Sequence, residues 1–206
     1  MYKNIICNRP EIREMYRGSG LLNILFVTGT HGDEPAGDIA VQNYNYNDVY
    51  DLNITICRVN PCGLIENTRH NPNTKLDINR EYGTNNRHNN IVEELVMKSD
   101  MVFDFHEGWD YHIVNNASIG STLSSPNNIN IAHYIINQVN NYIHDPNKKF
   151  IFENTKPLIK GSLKEFCLKA NKKYVLIETT RIEELETRIY KNNIIIKSII
   201  DYLSSS

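Results

Sequence analysis

The stretch LLNILFVTGTHGDEPAG, residues 21–37, decides the fold and begins with a nearly unbroken apolar run that ends at Gly29. A short run of this kind, rich in Ile, Leu, Phe and Val, is typical of a strand that is buried on both faces. The residues from Ala36 onward have the spacing of a helix. A buried strand that leads directly into a helix indicates the first unit of an α/β fold.

The same alternation of apolar runs and helical segments continues along the chain and predicts an α/β sandwich with a mostly parallel sheet. The predicted strands cover residues 21–29, 53–59, 101–105, 150–153 and 174–178. The predicted helices cover residues 36–46, 91–97, 129–143, 163–168 and 182–203. Residues 60–90 fit neither pattern, and a connection of that length is usually functional or disordered.

The composition limits the partners of the protein. The 206 residues are 40% hydrophobic, which is enough for one sizeable core, and we expect residues 1–206 to form a single domain. Lys and Arg (22) nearly balance Asp and Glu (24), so neither nucleic acid nor a membrane surface is expected as a partner. Four scattered cysteines and an N-terminus without an apolar signal segment predict a reduced, cytoplasmic setting.

Acidic and imidazole side chains follow two of the predicted strands. His31 and Glu34 are three residues apart where the first strand turns into a helix, and His106 follows the strand MVFDF. In open α/β sheets, ligands bind beyond the carboxyl ends of the strands, where these residues are expected to meet. Two histidines and one carboxylate, with a fourth position for water, form a known catalytic zinc set.

Other residues supply the remaining chemistry of a hydrolytic site. Glu178 ends the fifth predicted strand, where burial should raise its pKa toward the range of a general base. The irregular segment contains Arg69, Asp77, Asn79 and Arg80 in a Gly- and Pro-rich setting. One Arg can hold a carboxylate in a fork while a second polarises a carbonyl, which predicts a substrate with a free carboxylate beside an amide.

Each of these residues also has a plainer structural explanation. Asp33 or Glu34 suits an ordinary helix cap, and His106 suits a polar residue at the end of a buried strand. Glu178 suits an ion pair with Arg181 at a helix start, and the arginines suit a solvated loop. Only the occurrence of all these groups in one chain favours the metal site.

Five blocks, taken in order, are similar to motifs of the zinc carboxypeptidase superfamily, above all its succinylglutamate desuccinylase/aspartoacylase group. The blocks are THGDEPAG with His31 and Glu34, NPCG with Arg69, DINR with Asn79 and Arg80, DFHEG with His106, and finally Glu178. The resemblance implies a three-layer α/β/α sandwich, one zinc ion per chain and hydrolysis of an amide. The implied zinc ligands are His31, Glu34 and His106. The other implied roles are stabilisation of the carbonyl and oxyanion by Arg69, binding of the substrate carboxylate by Asn79 and Arg80, and general base and acid catalysis by Glu178.

The chain departs from both branches of that superfamily. Desuccinylase/aspartoacylase proteins usually add a C-terminal β domain, but only 28 residues follow Glu178, so none is expected. Gly161 and Ser162 precede Glu178 as a Gly-Ser pair does in carboxypeptidases, yet Lys156 occupies the neighbourhood of their mobile Tyr. Specificity is therefore not transferred from either branch. The roles of Glu107, Trp109 and His112, which follow or adjoin His106, are left open, and packing explains Trp109 equally well.

The leading prediction is a zinc-dependent amide hydrolase that cleaves an N-acyl amino acid or a similar small substrate with a free carboxylate. The alternative is a metallocarboxypeptidase that removes the C-terminal residue of a peptide. A non-catalytic protein that binds a carboxylate ligand is the rival from another class. Every catalytic position is filled, which favours an enzyme, and the sequence predicts no oligomeric state.

Overall fold

A seven-stranded mixed sheet lies between two layers of helices in the computed structural model, which describes residues 9–205. The strands are β1 (Glu11–Met15), β2 (Leu22–Thr28), β3 (Leu52–Arg58), β4 (Met101–Gly108), β5 (Thr122–Ser124), β6 (Ile151–Phe152) and β7 (Lys173–Thr180). The helices are α1 (Pro35–Asn43), α2 (Pro61–Glu66), α3 (Arg87–Lys98), α4 (Ile129–Asn140), α5 (Leu163–Lys169) and α6 (Leu185–Ser204). The predicted α/β sandwich with a mostly parallel mixed sheet is confirmed.

The strand order places the carboxyl ends of the central strands at one edge of the sheet. The order is β1-β3-β2-β4-β7-β5-β6, in which β3, β2, β4 and β7 run parallel. The outer strands β1 and β5 are antiparallel to their inner neighbours, and β6 is parallel to β5. In the register of β4 and β7, His106 is paired with Glu178, so the two side chains point to the same face of the sheet.

Both faces of the sheet are covered, because successive residues of the central strands alternate between two apolar cores. In β2, Ile24 and Phe26 belong to the core with α1, α4 and α6. Leu25 and Val27 belong to the core with α3 and α5. All four side chains are buried, and burying each one contributes roughly 1.5–3 kcal/mol. This double burial explains the nearly unbroken apolar run at residues 21–29.

Two strands and part of the irregular segment differ from the prediction. β1 is largely charged and exposed at the sheet edge, and β5 has only three residues, so neither has an apolar pattern. Residues 60–90 contain α2, a 3₁₀ turn at Ile78–Arg80 and the start of α3. The helices α2 and α3 begin where the side chains of Asn60 and Asn86 accept a hydrogen bond from the first turn.

The sequence predicts no signal segment at the N-terminus. Residues 1–8 of this stretch, which include Cys7, lie outside the described residues. Among residues 9–205, no helix combines the length and the apolarity that a membrane span requires.

Candidate metal centre

The side chains of His31, Glu34 and His106 converge in a buried site beyond β2 and within the carboxyl end of β4. Nδ1 of His31 lies 2.9 Å from Oε1 of Glu34, and Nδ1 of His106 lies 2.8 Å from Oε2 of the same carboxylate. Each residue offers one ligand atom, and these atoms lie within 4.8 Å of one another. Two imidazole nitrogens and one carboxylate are a donor set that fits a catalytic zinc ion.

Glu34 is free to face the histidines because another residue caps α1. Glu34 occupies the N-cap position, but its side chain makes no capping hydrogen bond. Instead, Oε1 of Glu107 accepts a hydrogen bond of 2.6 Å from the backbone N–H of Ala36. The N–H of Glu107 in turn donates to Oε2 of Glu34 over 3.1 Å. The side chain of Glu34 therefore does not act as an ordinary helix cap.

The outer nitrogen of each histidine faces a carboxylate. Nε2 of His31 is hydrogen-bonded to Oδ1 of Asp77 at 3.2 Å. Nε2 of His106 lies 3.2 Å from Oδ1 of Asp104, close enough for an ion pair but without hydrogen-bond alignment, so both buried atoms lack a hydrogen-bond partner. Outer carboxylates of this kind orient the ring and leave the other nitrogen, here Nδ1, for a metal.

The mutual pKa shifts of these groups follow from their burial and proximity. Burial favours the neutral form of Glu34, but His106 and His31 outweigh it and hold the pKa of this carboxyl well below its usual range. Burial also favours neutral His106, but Asp104 and Glu34 raise its pKa well above the usual range. A bound metal cation would take the place of the proton on Nδ1, since ligand histidines bind metals in their neutral form.

The loop that carries His31 needs a glycine where it passes α2. A Cβ atom on Gly32 would lie 1.9 Å from the carbonyl carbon of Gly63, which is an impossible distance. The N–H of Gly32 donates to the carbonyl of Thr68 over 2.9 Å, which fixes the loop in this close contact. A bare backbone at this position therefore lets the loop turn His31 toward Glu34.

Glu178 lies beside the convergent ligands on β7. It is buried, and among residues 9–205 no hydrogen bond to its carboxylate is found. Burial raises the pKa of Glu178 well above its usual range, against the opposing effect of His106 and together with the repulsion of Glu34. The suggested partner Arg181 instead forms an ion pair with Asp33 at 2.6 Å. A buried carboxyl group without a partner is free to exchange a proton.

The predicted substrate-binding residues approach the site from the 3₁₀ turn and the segment before it. Arg69 is held between Glu34 and Asp77, at 3.3 Å from each carboxylate. The side chain of Arg80 is exposed, and its guanidinium donates to the carbonyl of Asn79 at 2.6 Å. Oδ1 of Asn79 accepts a hydrogen bond from the N–H of Leu163, so this amide ties the turn to α5, and Asn79 lines the cavity.

A cavity of about 430 Å³ opens beside these groups and is lined by all seven predicted site residues. Trp109 also lines it and is 53% exposed, so this indole does not simply pack in the core. Nδ1 of His112 is bonded to the carbonyl of Ser118 at 2.6 Å, and Nε2 lies 3.1 Å from Glu153. His112 is therefore engaged away from the metal centre.

Asp104 and Asp77 are the site residues that sequence reasoning missed as partners of the histidines. A signal existed for Asp104, because it precedes His106 by two residues on one strand and so lies on the same face. For Asp77, 46 residues from His31 in the chain, no local pattern could have predicted the contact.

Replacing Asp104 by Asn is expected to weaken metal binding about 10- to 100-fold, as is typical for outer partners of metal ligands. The reason is that an amide orients the His106 ring less firmly and withdraws the negative charge beside it. The measurement is a titration of the apoprotein with Zn²⁺ against a chelator. Asp38→Asn is the matched control, since Asp38 is also buried but pairs with Thr28 and Arg58. Equal metal affinities of the native protein and Asp104→Asn would contradict this assignment.

No family model matches the sequence, and a search of curated proteins finds no significant relative. Solved structures, however, share the fold. The apo form of the cell shape determinant protein Csd4 from Helicobacter pylori matches with a TM-score of 0.82 at 17% identity, over 95% of this chain and 55% of that one. The mDAP-bound form of Csd4, described as a D,L-carboxypeptidase, gives a TM-score of 0.77 at 17% identity, over 89% of this chain and 51% of that one.

A proposed metallopeptidase from Shewanella denitrificans matches with a TM-score of 0.69 at 16% identity, over 93% of this chain and 78% of that one. The chain spans about half the length of the Csd4 structures. At such identities the likeness establishes the fold and nothing finer. The predicted peptidase-like fold is thus confirmed, whereas membership of the desuccinylase/aspartoacylase group is not, and the chain has a fold in common with a D,L-carboxypeptidase and with proposed metallopeptidases.

Proposed function

We propose that the protein is a zinc-dependent carboxypeptidase that removes the C-terminal residue of a peptide. The observation that supports this most directly is the convergence of two histidine Nδ1 atoms on one buried carboxylate, next to a buried Glu178 whose carboxylate has no hydrogen-bond partner in the described part of the chain. A bound Zn²⁺ would supply a Lewis acid for the scissile carbonyl and would make a water molecule more acidic. The proposal includes one zinc site per chain and treats residues 1–206 as one catalytic domain.

The residues around the metal site divide the remaining work. Glu178 accepts the proton of the attacking water and returns it to the leaving nitrogen. Arg69 donates hydrogen bonds to the oxygen that becomes negative in the transition state. Arg80, with the amide nitrogen of Asn79, binds the carboxylate at the end of the substrate through charge-assisted hydrogen bonds.

This proposal reverses the order of the two activities that the sequence suggests, in which hydrolysis of an N-acyl amino acid comes first. The reversal is supported by the neighbours: Csd4 is described as a D,L-carboxypeptidase, and its structures include tripeptide-bound and mDAP-bound forms. We therefore propose a peptide with a free terminal carboxylate as the substrate. The cytoplasmic location predicted from cysteine usage stays a prediction.

The test is a screen of the zinc-loaded protein for release of free amine. The substrates are short peptides with a free C-terminus, the same peptides with an amidated C-terminus, and N-acyl amino acids. The proposal expects cleavage of the first group only, with one residue removed from the C-terminus. Cleavage of N-acyl amino acids in preference to peptides would restore the deacylase, and tight binding without turnover of any substrate would indicate a binding protein.

Replacing Arg69 or Arg80 by Met is expected to change kcat and KM in opposite ways. Arg80 binds a group that is charged before and during the reaction, so Arg80→Met should raise KM far more than it lowers kcat. Arg69 faces charge that develops in the transition state, so Arg69→Met should lower kcat by about 10²–10³-fold with little change in KM. Steady-state kinetics on a free and an amidated peptide measure both effects. An equal penalty for the amidated peptide in native and Arg80→Met enzyme would show that Arg80 does not bind the carboxylate.

A further inference from the structure

The cavity extends beyond the metal-site residues along the face of the sheet. In the antiparallel pair of β5 and β7, Thr122 is opposite Glu178 and Ser124 is opposite Leu176, and all four residues line the cavity. Two residues of a strand span about 7 Å. Ser124 therefore marks a part of the cavity roughly 7 Å from Glu178, which is within reach of a side chain of a molecule bound beside Glu178.

A lysine ammonium group lies in the wall at this point. Nζ of Lys164, in the first turn of α5, donates to Oγ of Ser124 over 2.7 Å. The Ser124 hydroxyl in turn donates to Oδ1 of Asn154 over 2.6 Å, so this hydroxyl has no further proton to offer. Two of the three Nζ protons of Lys164 have no partner among residues 9–205, and no carboxylate lies within 4 Å of Nζ.

The acidic residue in this wall does not neutralise Lys164. Glu153 lines the same cavity but accepts hydrogen bonds from the N–H and the hydroxyl of Thr155, and it lies 3.1 Å from Nε2 of His112. Burial lowers the pKa of Lys164, and Glu153 opposes this effect only in part. A partly desolvated ammonium group without a counter-ion is unfavourable, and a bound anion would stabilise it.

Lys164 also differs from most other cations that line the cavity. Arg69 is paired with Glu34 and Asp77, and Arg181 is paired with Asp33. The side chains of Lys156 and Arg80 are exposed, and each donates to a backbone carbonyl. Among the described residues that line the cavity, Lys164 is the partly buried cation that forms no ion pair with a carboxylate.

We propose that Lys164 selects the side chain of the residue to be released, and that this side chain carries a carboxylate. The inference rests on the proposed carboxypeptidase function, with Arg80 binding the terminal carboxylate and Lys164 binding a second one. The two cations reach the cavity from segments that pack together, since the N–H of Tyr82 donates to the carbonyl of Gly161 over 3.0 Å. The substrate class is a peptide that ends in an acidic residue.

The charge of the wall favours a carboxylate over a more highly charged anion. The ammonium group of Lys164 is the available donor, since the Ser124 hydroxyl already donates to Asn154, and the carboxylate of Glu153 lines the same wall. A monoanionic carboxylate matches the single positive charge of Lys164, whereas a dianionic phosphate would keep one uncompensated negative charge beside Glu153. A basic side chain would be repelled by the ammonium group of Lys164.

The test compares two peptides that differ only in a C-terminal Glu or Gln, which have nearly the same shape. Native enzyme is expected to prefer the Glu peptide about 10- to 100-fold in kcat/KM, as a hydrogen bond to a charged partner typically provides. Lys164→Met should lose this preference through slower cleavage of the Glu peptide, with the Gln peptide unchanged within a few-fold. Retained cleavage of the Gln peptide also shows that the variant is folded.

Lys160→Met is the matched control, because Lys160 is exposed, lies four residues earlier and does not line the cavity. It should keep the native preference for the Glu peptide. The proposal is overturned by a native enzyme without preference for Glu, or by an equal Glu-to-Gln ratio in native and Lys164→Met enzyme.

A binding measurement separates this inference from the proposed activity. Trp109 is the one tryptophan of the chain and lines the cavity, so its fluorescence can report binding of free glutamate and free glutamine. If no peptide is cleaved, the carboxylate site is still supported when native protein binds glutamate more tightly than glutamine and Lys164→Met does not. Equal binding of glutamate by both proteins overturns it, whatever the outcome of the activity screen.

Discussion

Replacing Glu178 by Gln is expected to lower kcat about 10²–10⁴-fold while zinc content and fold stay unchanged. The amide of Gln has nearly the shape of the carboxyl group but cannot accept the proton of the attacking water. The carboxylate of Glu178 is buried and has no hydrogen bond among residues 9–205, so the substitution leaves no described partner unsatisfied. The measurement is single-turnover cleavage of a peptide by protein whose zinc content and circular dichroism match those of the native form.

Glu107→Gln is the control for this prediction, because Glu107 is a buried glutamate beside His106 that is not one of the proposed metal ligands. Its two oxygens are occupied by the N–H of Ala36 and by the guanidinium of Arg188, so a role as proton acceptor is not expected. Glu107→Gln should reduce the free energy of unfolding with a much smaller effect on kcat. Activity of Glu178→Gln within a few-fold of native, combined with an inactive Glu107→Gln, would transfer the base role to Glu107.

The parts of the site that could be predicted are those whose geometry is local in the sequence. His31 and Glu34 are separated by one short turn after a buried strand, and Glu178 ends an apolar run, so the strand pattern alone located them at one edge of the sheet. The register of β4 and β7 then follows from pairing two parallel buried strands, and it brings His106 beside Glu178. Local pattern and sheet topology were sufficient for these residues.

The parts that could not be predicted depend on contacts between distant segments. Asn79 is tied to α5 by a hydrogen bond across 84 residues, and Gly161 is held against the carbonyl of Arg80. A Cβ atom on Gly161 would lie 2.2 Å from that oxygen, and the residue has a φ of +74°, so only glycine fits. These requirements arise from tertiary packing and leave no periodic signal, which is why the position of Lys164 in the cavity also escaped sequence reasoning.

The link between Glu107 and Arg188 shows how the C-terminal helix supports the site without touching the cavity. Arg188 of α6 is mostly buried and binds the carboxylate that caps α1, and the same glutamate donates its N–H to Glu34. Removing one partner of a buried ion pair leaves an uncompensated charge, which is strongly destabilising. The orientation of Glu34 therefore depends on packing of α6, about 150 residues away in the chain.

Replacing His106 by Ala is expected to abolish stable zinc binding, whereas His112→Ala should leave the zinc content near one ion per chain. His106 provides one of three convergent ligand atoms, so its loss should weaken binding by more than the ~10–100-fold expected of an outer partner such as Asp104. His112 lies shortly after β4 in the chain but is engaged by Ser118 and Glu153, which makes it a matched control. Elemental analysis after dialysis against a weak chelator measures both variants. Unchanged zinc content in His106→Ala, together with loss of zinc in His112→Ala, would show that the metal binds near Glu153. His31, Glu34 and His106 would then form an ion-pair cluster without a metal.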